Sequence, residues 1–174
     1  MASTSDPITS LFISGLRNAH AVEKQALSIM TPQVARIEHY PEMADRLRQH
    51  IEETNGQIAR LDELLASFDS SGSALKDTAL SFSGTMAALA HSPAGDEILK
   101  NSFANYAFEH FEIASYKSLL TLAEVGGFST ANAPLQQSLG EEQAMAEWID
   151  QALPLVTRRY AELYATEGAG TAKV

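Results

Sequence analysis

Four glutamates, Glu23, Glu53, Glu112 and Glu142, carry the chemistry this chain can do. The members of each successive pair lie 30 residues apart. The midpoint of the first pair is residue 38, beside the helix-breaking stretch His39-Tyr40-Pro41, and that of the second is residue 127, in Gly126-Gly127. If each pair sits on an antiparallel helical hairpin, its two carboxylates reach the same height. Two such hairpins packed together then gather four carboxylates around one point inside a bundle. Charges in a core are costly unless something pairs with them, and a cation is the simplest partner. Carboxylate oxygens with few histidines suit iron or manganese and argue against copper.

The faces on which these residues lie support that reading. Glu142 stands among Leu135, Leu139, Ala146, Ile149 and Leu153, and Glu23 among Leu16, Ala19, Ala26, Leu27 and Met30. Glu109 and Glu112, three residues apart, share a face with Tyr106, Ile113 and Tyr116. Glu53 only borders the stripe of Leu47, Thr54 and Leu61, so symmetry places it more than pattern does. A single helix glutamate is ordinarily solvated or ion-paired, and each of these taken alone fits that description. Four at matched heights favour a shared metal. The competing arrangement is a buried Glu–Lys/Arg network, but Arg17, Lys24, Arg60 and Lys117 all miss the glutamate level on the apolar face.

The usual carboxylate bundle takes a Glu from two helices and a Glu-x-x-His from the other two. This chain has no Glu-x-x-His: Gly56 follows Glu53 by three residues and Met145 follows Glu142 by three. On the first hairpin, facing residue numbers sum to about 76, which sets His20 opposite Gly56; on the second they sum to about 254, which sets Glu109 opposite Met145. The expected ligands are therefore Glu23, Glu53, Glu109, Glu112, Glu142 and His20. Glu53 and Glu142 would bridge two ions, and Glu23 and Glu112 would hold one each. His50 and Gln57 are weaker candidates, while His39, His91 and His110 read as turn or surface residues. Tyr106 and Tyr116 are candidates to hydrogen-bond the ligands or pass electrons. No catalytic residue and no organic cofactor site stands out.

The elements that must position these side chains are helical. Asp6-Pro7 is a helix start, and apolar residues then recur every three or four positions from Ile8 to Met30. This first helix should reach about residue 37 and kink at Thr31-Pro32. A second begins near Pro41 and runs to Phe68. Asp69 to Ser73 reads as a loop, and a shorter helix over about 74–89 as the crossover to a second hairpin. Ser92-Pro93 opens a third long helix that stops at Gly126-Gly127. The fourth starts near Ser129 or Thr130, runs past Leu163 and should bend at Pro154. Residues 166–174 are small and polar and are expected to be disordered. An offset of 89 maps Glu23 onto Glu112, Glu52 onto Glu141 and Glu53 onto Glu142 without matching the residues around them, a pseudo-symmetry of the site alone. Two long hairpins joined by one long connection make an all-α, ferritin-like antiparallel four-helix bundle. One domain over 1–174, with an ordered core of about 7–165, is expected.

Composition narrows the function classes. The chain has 174 residues, enough for one sizeable core. It lacks cysteine, which excludes disulfides, thiolate nucleophiles, zinc fingers and iron–sulfur clusters. A formal charge of −10 opposes binding to phosphate backbones, so nucleic acid is not an expected partner. No apolar run approaches a membrane span, and no secretory signal pattern opens the chain, so a cytoplasmic location is expected.

The run Leu16-Arg17-Asn18-Ala19-His20-Ala21-Val22-Glu23-Lys24-Gln25 resembles the YciE/YciF family of ferritin-like proteins. So do His50-Ile51-Glu52-Glu53-Thr54 with Gln57, Arg60 and Leu61, then Glu109-His110-Phe111-Glu112-Ile113-Ala114-Ser115-Tyr116, and finally Leu139-Gly140-Glu141-Glu142. The resemblance implies a ferritin-like bundle, a di-iron carboxylate centre, dimerisation and an association with stress. It supports Glu23, Glu53, Glu109, Glu112 and Glu142 as ligands. At His20 the family more usually carries tyrosine, so that ligand rests on the hairpin geometry. The function expected is a dinuclear protein that holds two iron ions, with manganese as the other metal this donor set accepts, and oxidises Fe(II) with dioxygen or peroxide as a homodimer. The other class is a stress-associated interaction bundle in which the metal is structural or absent.

Overall fold

The computed structural model describes residues 6–68 and 95–174, and among these all regular structure is helical. Helix α1 spans Pro7–Val34, α2 Pro41–Phe68, α3 Glu97–Gly126 and α4 Asn132–Glu167; a 3-10 turn, Ser129–Ala131, precedes α4, and a short α5, Ala169–Ala172, follows it. The α1 start is built as its sequence suggests. Asp6 accepts hydrogen bonds from the Thr9 backbone N–H at 3.0 Å and the Thr9 hydroxyl at 3.1 Å, and Pro7 occupies the first turn. At the other hairpin, Gly127 adopts φ 69°, a left-handed conformation open to glycine, and so ends α3. Helix α1 stops three residues short of the expected 37, and both Pro32 and Pro154 lie within helices that continue through them. The expected 69–73 loop, crossover helix and Ser92-Pro93 start, together with His91, lie outside the described residues.

The four long helices form a closed ring of neighbours: α1 packs on α2 and α3, and α4 packs on α3 and α2. Every neighbouring pair is antiparallel. Arg36, just past the end of α1, pairs with Glu97 at the start of α3 at 2.7 Å, and Tyr40, just before α2, reaches Ala172 beyond the end of α4. This is the ferritin-like antiparallel bundle.

Its apolar interior is divided. One buried cluster contains Phe12, Leu16, Leu61, Tyr116, Leu119 and Leu135; the other contains Val22, Met30, Met43, Leu47, Met145 and Ile149. Between Leu47 and Leu61 the buried positions of α2 are His50, Thr54 and Gln57. On α3, Glu109 and Glu112 separate Phe108 from Ile113, and on α4, Glu142 stands between Leu139 and Met145. A polar layer thus crosses the bundle at one level.

The tail is a departure from expectation. Residues 166–174 are small and polar in sequence, yet they fold back across the open end of the bundle. The Tyr40 hydroxyl donates to the Ala172 carbonyl at 2.5 Å, the Ile98 N–H to Lys173 at 2.9 Å and the His39 N–H to Val174 at 3.1 Å. Ala172 is fully buried. Small side chains permit this close approach, and helix-start N–H groups without intrahelical partners reward it.

Candidate metal centre

The layer is built from one side chain per turn of each helix. Helix α2 contributes the most, because Leu47, His50, Thr54, Gln57, Leu61 and Leu64 follow one another at alternating spacings of three and four. His50 is thereby buried at the centre. Its Nδ1 lies 2.9 Å from Glu53 Oε2, and its Nε2 lies 3.1 Å from Glu109 Oε2 and 3.6 Å from Glu142 Oε2. One imidazole links the two hairpins. His50, Glu109 and Glu142 offer ligand atoms that all lie within 4.8 Å of one another, a group able to hold a metal ion.

The remaining carboxylates surround this trio. On α1, Glu23 is 1% exposed; its Oε1 accepts the Tyr116 hydroxyl at 2.6 Å, while its Oε2 has no hydrogen-bond partner among the described residues. Glu112 is equally buried, and neither of its oxygens receives a hydrogen bond. Gln57 donates through Nε2 to Glu142 Oε1 and, at 3.1 Å, to Glu141 Oε2. Arg60 donates through Nη2 to the same Glu141 oxygen.

Negative charge therefore exceeds what the protein neutralises, and the proton affinities record it. Burial, then the charges of Glu23, Glu142 and Glu109, drives Glu112 well above the usual carboxylate range. Burial and the neighbouring Glu109 do the same to Glu142. Burial raises Glu23 to about 7 against the opposing hydrogen bond from Tyr116. Burial alone would lower His50, but Glu109 and Glu53 outweigh it and bring the imidazole to about 10. The donor set fits a divalent cation: buried carboxylate oxygens without donors, one imidazole, and a local surplus of negative charge.

Glu53 differs from the others. It is 21% exposed at the edge of the layer, with Oε1 accepting from Gln49 at 2.8 Å and Oε2 from Arg46 at 3.0 Å. Burial opposes ionisation, but the bonds from His50 and Arg46 overcome it and hold this carboxyl at about 2. From α2 both Gln57 and His50 reach Glu142, so Glu53, between them in sequence, keeps the expected level and departs from it in face, at the edge of the layer rather than inside it.

His20 is the correction. Its Nε2 lies 3.0 Å from Asp62 Oδ1, outside the carboxylate group. Counting facing residues treats side chains as perpendicular to the helix, whereas each Cα–Cβ bond tilts toward the helix N-terminus. On α1 that tilt carries the imidazole past Gly56 toward the end of α2. Tyr106 also turns away, donating to Asp150 at 3.2 Å, and only Tyr116 touches a ligand candidate. The residue that sequence reasoning undervalued is His50. The unbroken three-four stripe of α2 contains it, and Glu53 lies off that stripe. Arg46, two turns before Glu53, was not on any apolar face and gave no such signal.

Comparison with known proteins identifies the family and the fold. A family model described as a domain of unknown function, DUF892, matches residues 8–162. Protein YciF of Escherichia coli (strain K12) is 31% identical over 148 residues, covering 79% of this chain and 84% of that protein. The crystal structure of a protein from Xanthomonas campestris pv. campestris superposes with a TM-score of 0.77 at 30% identity, covering 92% of this chain and 99% of that one. The crystal structure of the E. coli stress protein YciF superposes with a TM-score of 0.72 at 28% identity, covering 85% of this chain and 95% of that one. The chain belongs to the DUF892 family, the family of YciF.

Proposed function

For this member of the DUF892 family we propose that the polar layer binds two iron ions and that the loaded protein oxidises Fe(II) with dioxygen or peroxide. The observation that carries the reading is Glu112, a fully buried carboxylate that meets the carboxyls of Glu23, Glu109 and Glu142 and, among the described residues, no N–H or hydroxyl donor. Such a group gains nothing from the fold unless a proton or a cation occupies it. Glu23, Glu53, Glu109, Glu112 and Glu142 would hold the ions, with His50 completing the set in place of His20. Manganese satisfies the same donors.

Iron would supply the electrons that dioxygen or peroxide accepts; the chain supplies position and surroundings. Tyr116 fixes the orientation of Glu23 through its 2.6 Å hydrogen bond. Gln57 holds Glu142 against α2, and the two apolar clusters exclude bulk water from above and below the layer. The stress role is taken from the description of the E. coli relative as a stress protein. A homodimer belongs to the same reading; Leu11 on α1 and Val125 on α3 are large apolar side chains that a partner could cover. Among the described residues no helix is long and apolar enough to cross a membrane.

Anaerobic Fe(II) titration followed by air tests the proposal. Two equivalents should bind, and oxygen should produce a visible absorbance change. Glu142→Gln should abolish uptake while helix content by circular dichroism stays unchanged. Failure of the wild type to bind iron, or normal binding by the variant, would overturn it. Elemental analysis of protein purified without added metal distinguishes iron from manganese.

A further inference from the structure

We propose that Arg46 is a displaceable counter-cation for Glu53, one that an entering divalent ion must push aside and that therefore sets how tightly the site binds metal. The inference rests on the metal reading above. Glu53 is the carboxylate of the set that borders solvent, so an ion arriving from outside meets it early. A carboxylate oxygen has two lone-pair directions. At Oε2 of Glu53 both are engaged, by Arg46 at 3.0 Å and by His50 at 2.9 Å. A metal at that oxygen must dislodge one of them.

Of the two, Arg46 is free to leave. His50 is 1% exposed and fixed by contacts to both hairpins. Arg46 stands at the rim with 10% of its side chain exposed, on a long stem that can swing its guanidinium into water. Departure leaves no buried unpaired cation, because the guanidinium becomes solvated. Staying would hold a positive charge against the incoming ion's own at a separation of a few ångströms. Gln49, exposed and bound to the other oxygen at 2.8 Å, keeps Glu53 aimed along the layer during the exchange.

Co(II) alone is a suitable probe, since its visible absorption reports coordination without redox chemistry. Calorimetric and optical titration of the full chain should show Arg46→Met binding Co(II) about tenfold more tightly than the wild type, with faster association. Arg46→Lys, which keeps the charge, should stay near the wild type. In a Glu53→Gln background the Arg46→Met substitution should bring no gain, because the two residues act through one contact. Unchanged or weaker binding by a folded Arg46→Met, or an equal gain in the Glu53→Gln background, overturns the inference. Glu142→Gln separates the two levels. If it leaves Co(II) binding intact, the metal reading fails and this inference falls with it. If it abolishes binding while Arg46→Met brings no gain, the displacement by Arg46 alone is refuted.

Discussion

Replacing Glu23 by Gln should stabilise the metal-free protein and cripple the metal-bound one. The side chain is 1% exposed, and Gln preserves its shape and an oxygen to accept the Tyr116 hydroxyl. What changes is the charge. Burial raises the Glu23 carboxyl from an ordinary 4.5 to about 7. That difference corresponds to about 3 kcal/mol against the ionised form. The sign follows from linkage. A carboxyl raised in the folded state binds more protons folded than unfolded, so its contribution is fully present below about 4.5 and is lost as pH rises through about 7. The variant escapes this loss. At about pH 8 it should be more stable than the wild type by about 3 kcal/mol, and at about pH 4 the two should be alike. For a chain of this size that is a rise in Tm of roughly 6–12 °C at the higher pH. Urea denaturation of metal-free protein, followed by circular dichroism at both pH values, measures it. Saturating metal should reverse the order, because an ion at about a thousand times its Kd adds about 4.1 kcal/mol to a protein that binds it and nothing to one that does not. A stability difference independent of pH would refute the assignment of strain to this charge.

Two further outcomes follow from the same contacts. His20→Ala should leave metal stoichiometry unchanged and cost less than about 1 kcal/mol, since it removes only a pairing with half-exposed Asp62; a loss of bound metal by titration would restore His20 to the ligand set. A chain ending at Glu167 should unfold about 2 kcal/mol more easily, because the buried Tyr40 hydroxyl loses its acceptor on Ala172 and the Ile98 N–H its acceptor on Lys173. Thermal unfolding by calorimetry checks this, and an unaltered Tm would mean that the docked tail contributes nothing.

The fold was readable because hydrophobic periodicity and helix punctuation are local. Asp6-Pro7, Gly126-Gly127 and the stripes between them placed four helices with errors of a few residues. The burial of Glu23, Glu109, Glu112 and Glu142 was readable for the same reason: each interrupts an apolar stripe. Three features escaped. His20 was misplaced because register counting ignores the tilt of Cβ toward the helix N-terminus. Arg46 was missed because a long side chain can reach a carboxylate two turns away, and no pattern of spacing encodes that. The small polar residues of the tail predict disorder, yet they bind through backbone groups, which composition does not register.

The separation of the two apolar clusters by a sheet of charge has a consequence for how this sequence can change. Substitutions at Phe12 or Leu135 repack one compartment, and substitutions at Met30 or Ile149 repack another, with the ligand layer standing between them. Away from Tyr106, which packs against both clusters, strain introduced in one compartment meets a stratum of polar and charged side chains before it meets the next apolar contact. The interior therefore behaves as two small cores sharing one floor. Each can be rebuilt independently, in evolution or by design, provided that the height of the floor and the shared contact of Tyr106 are kept.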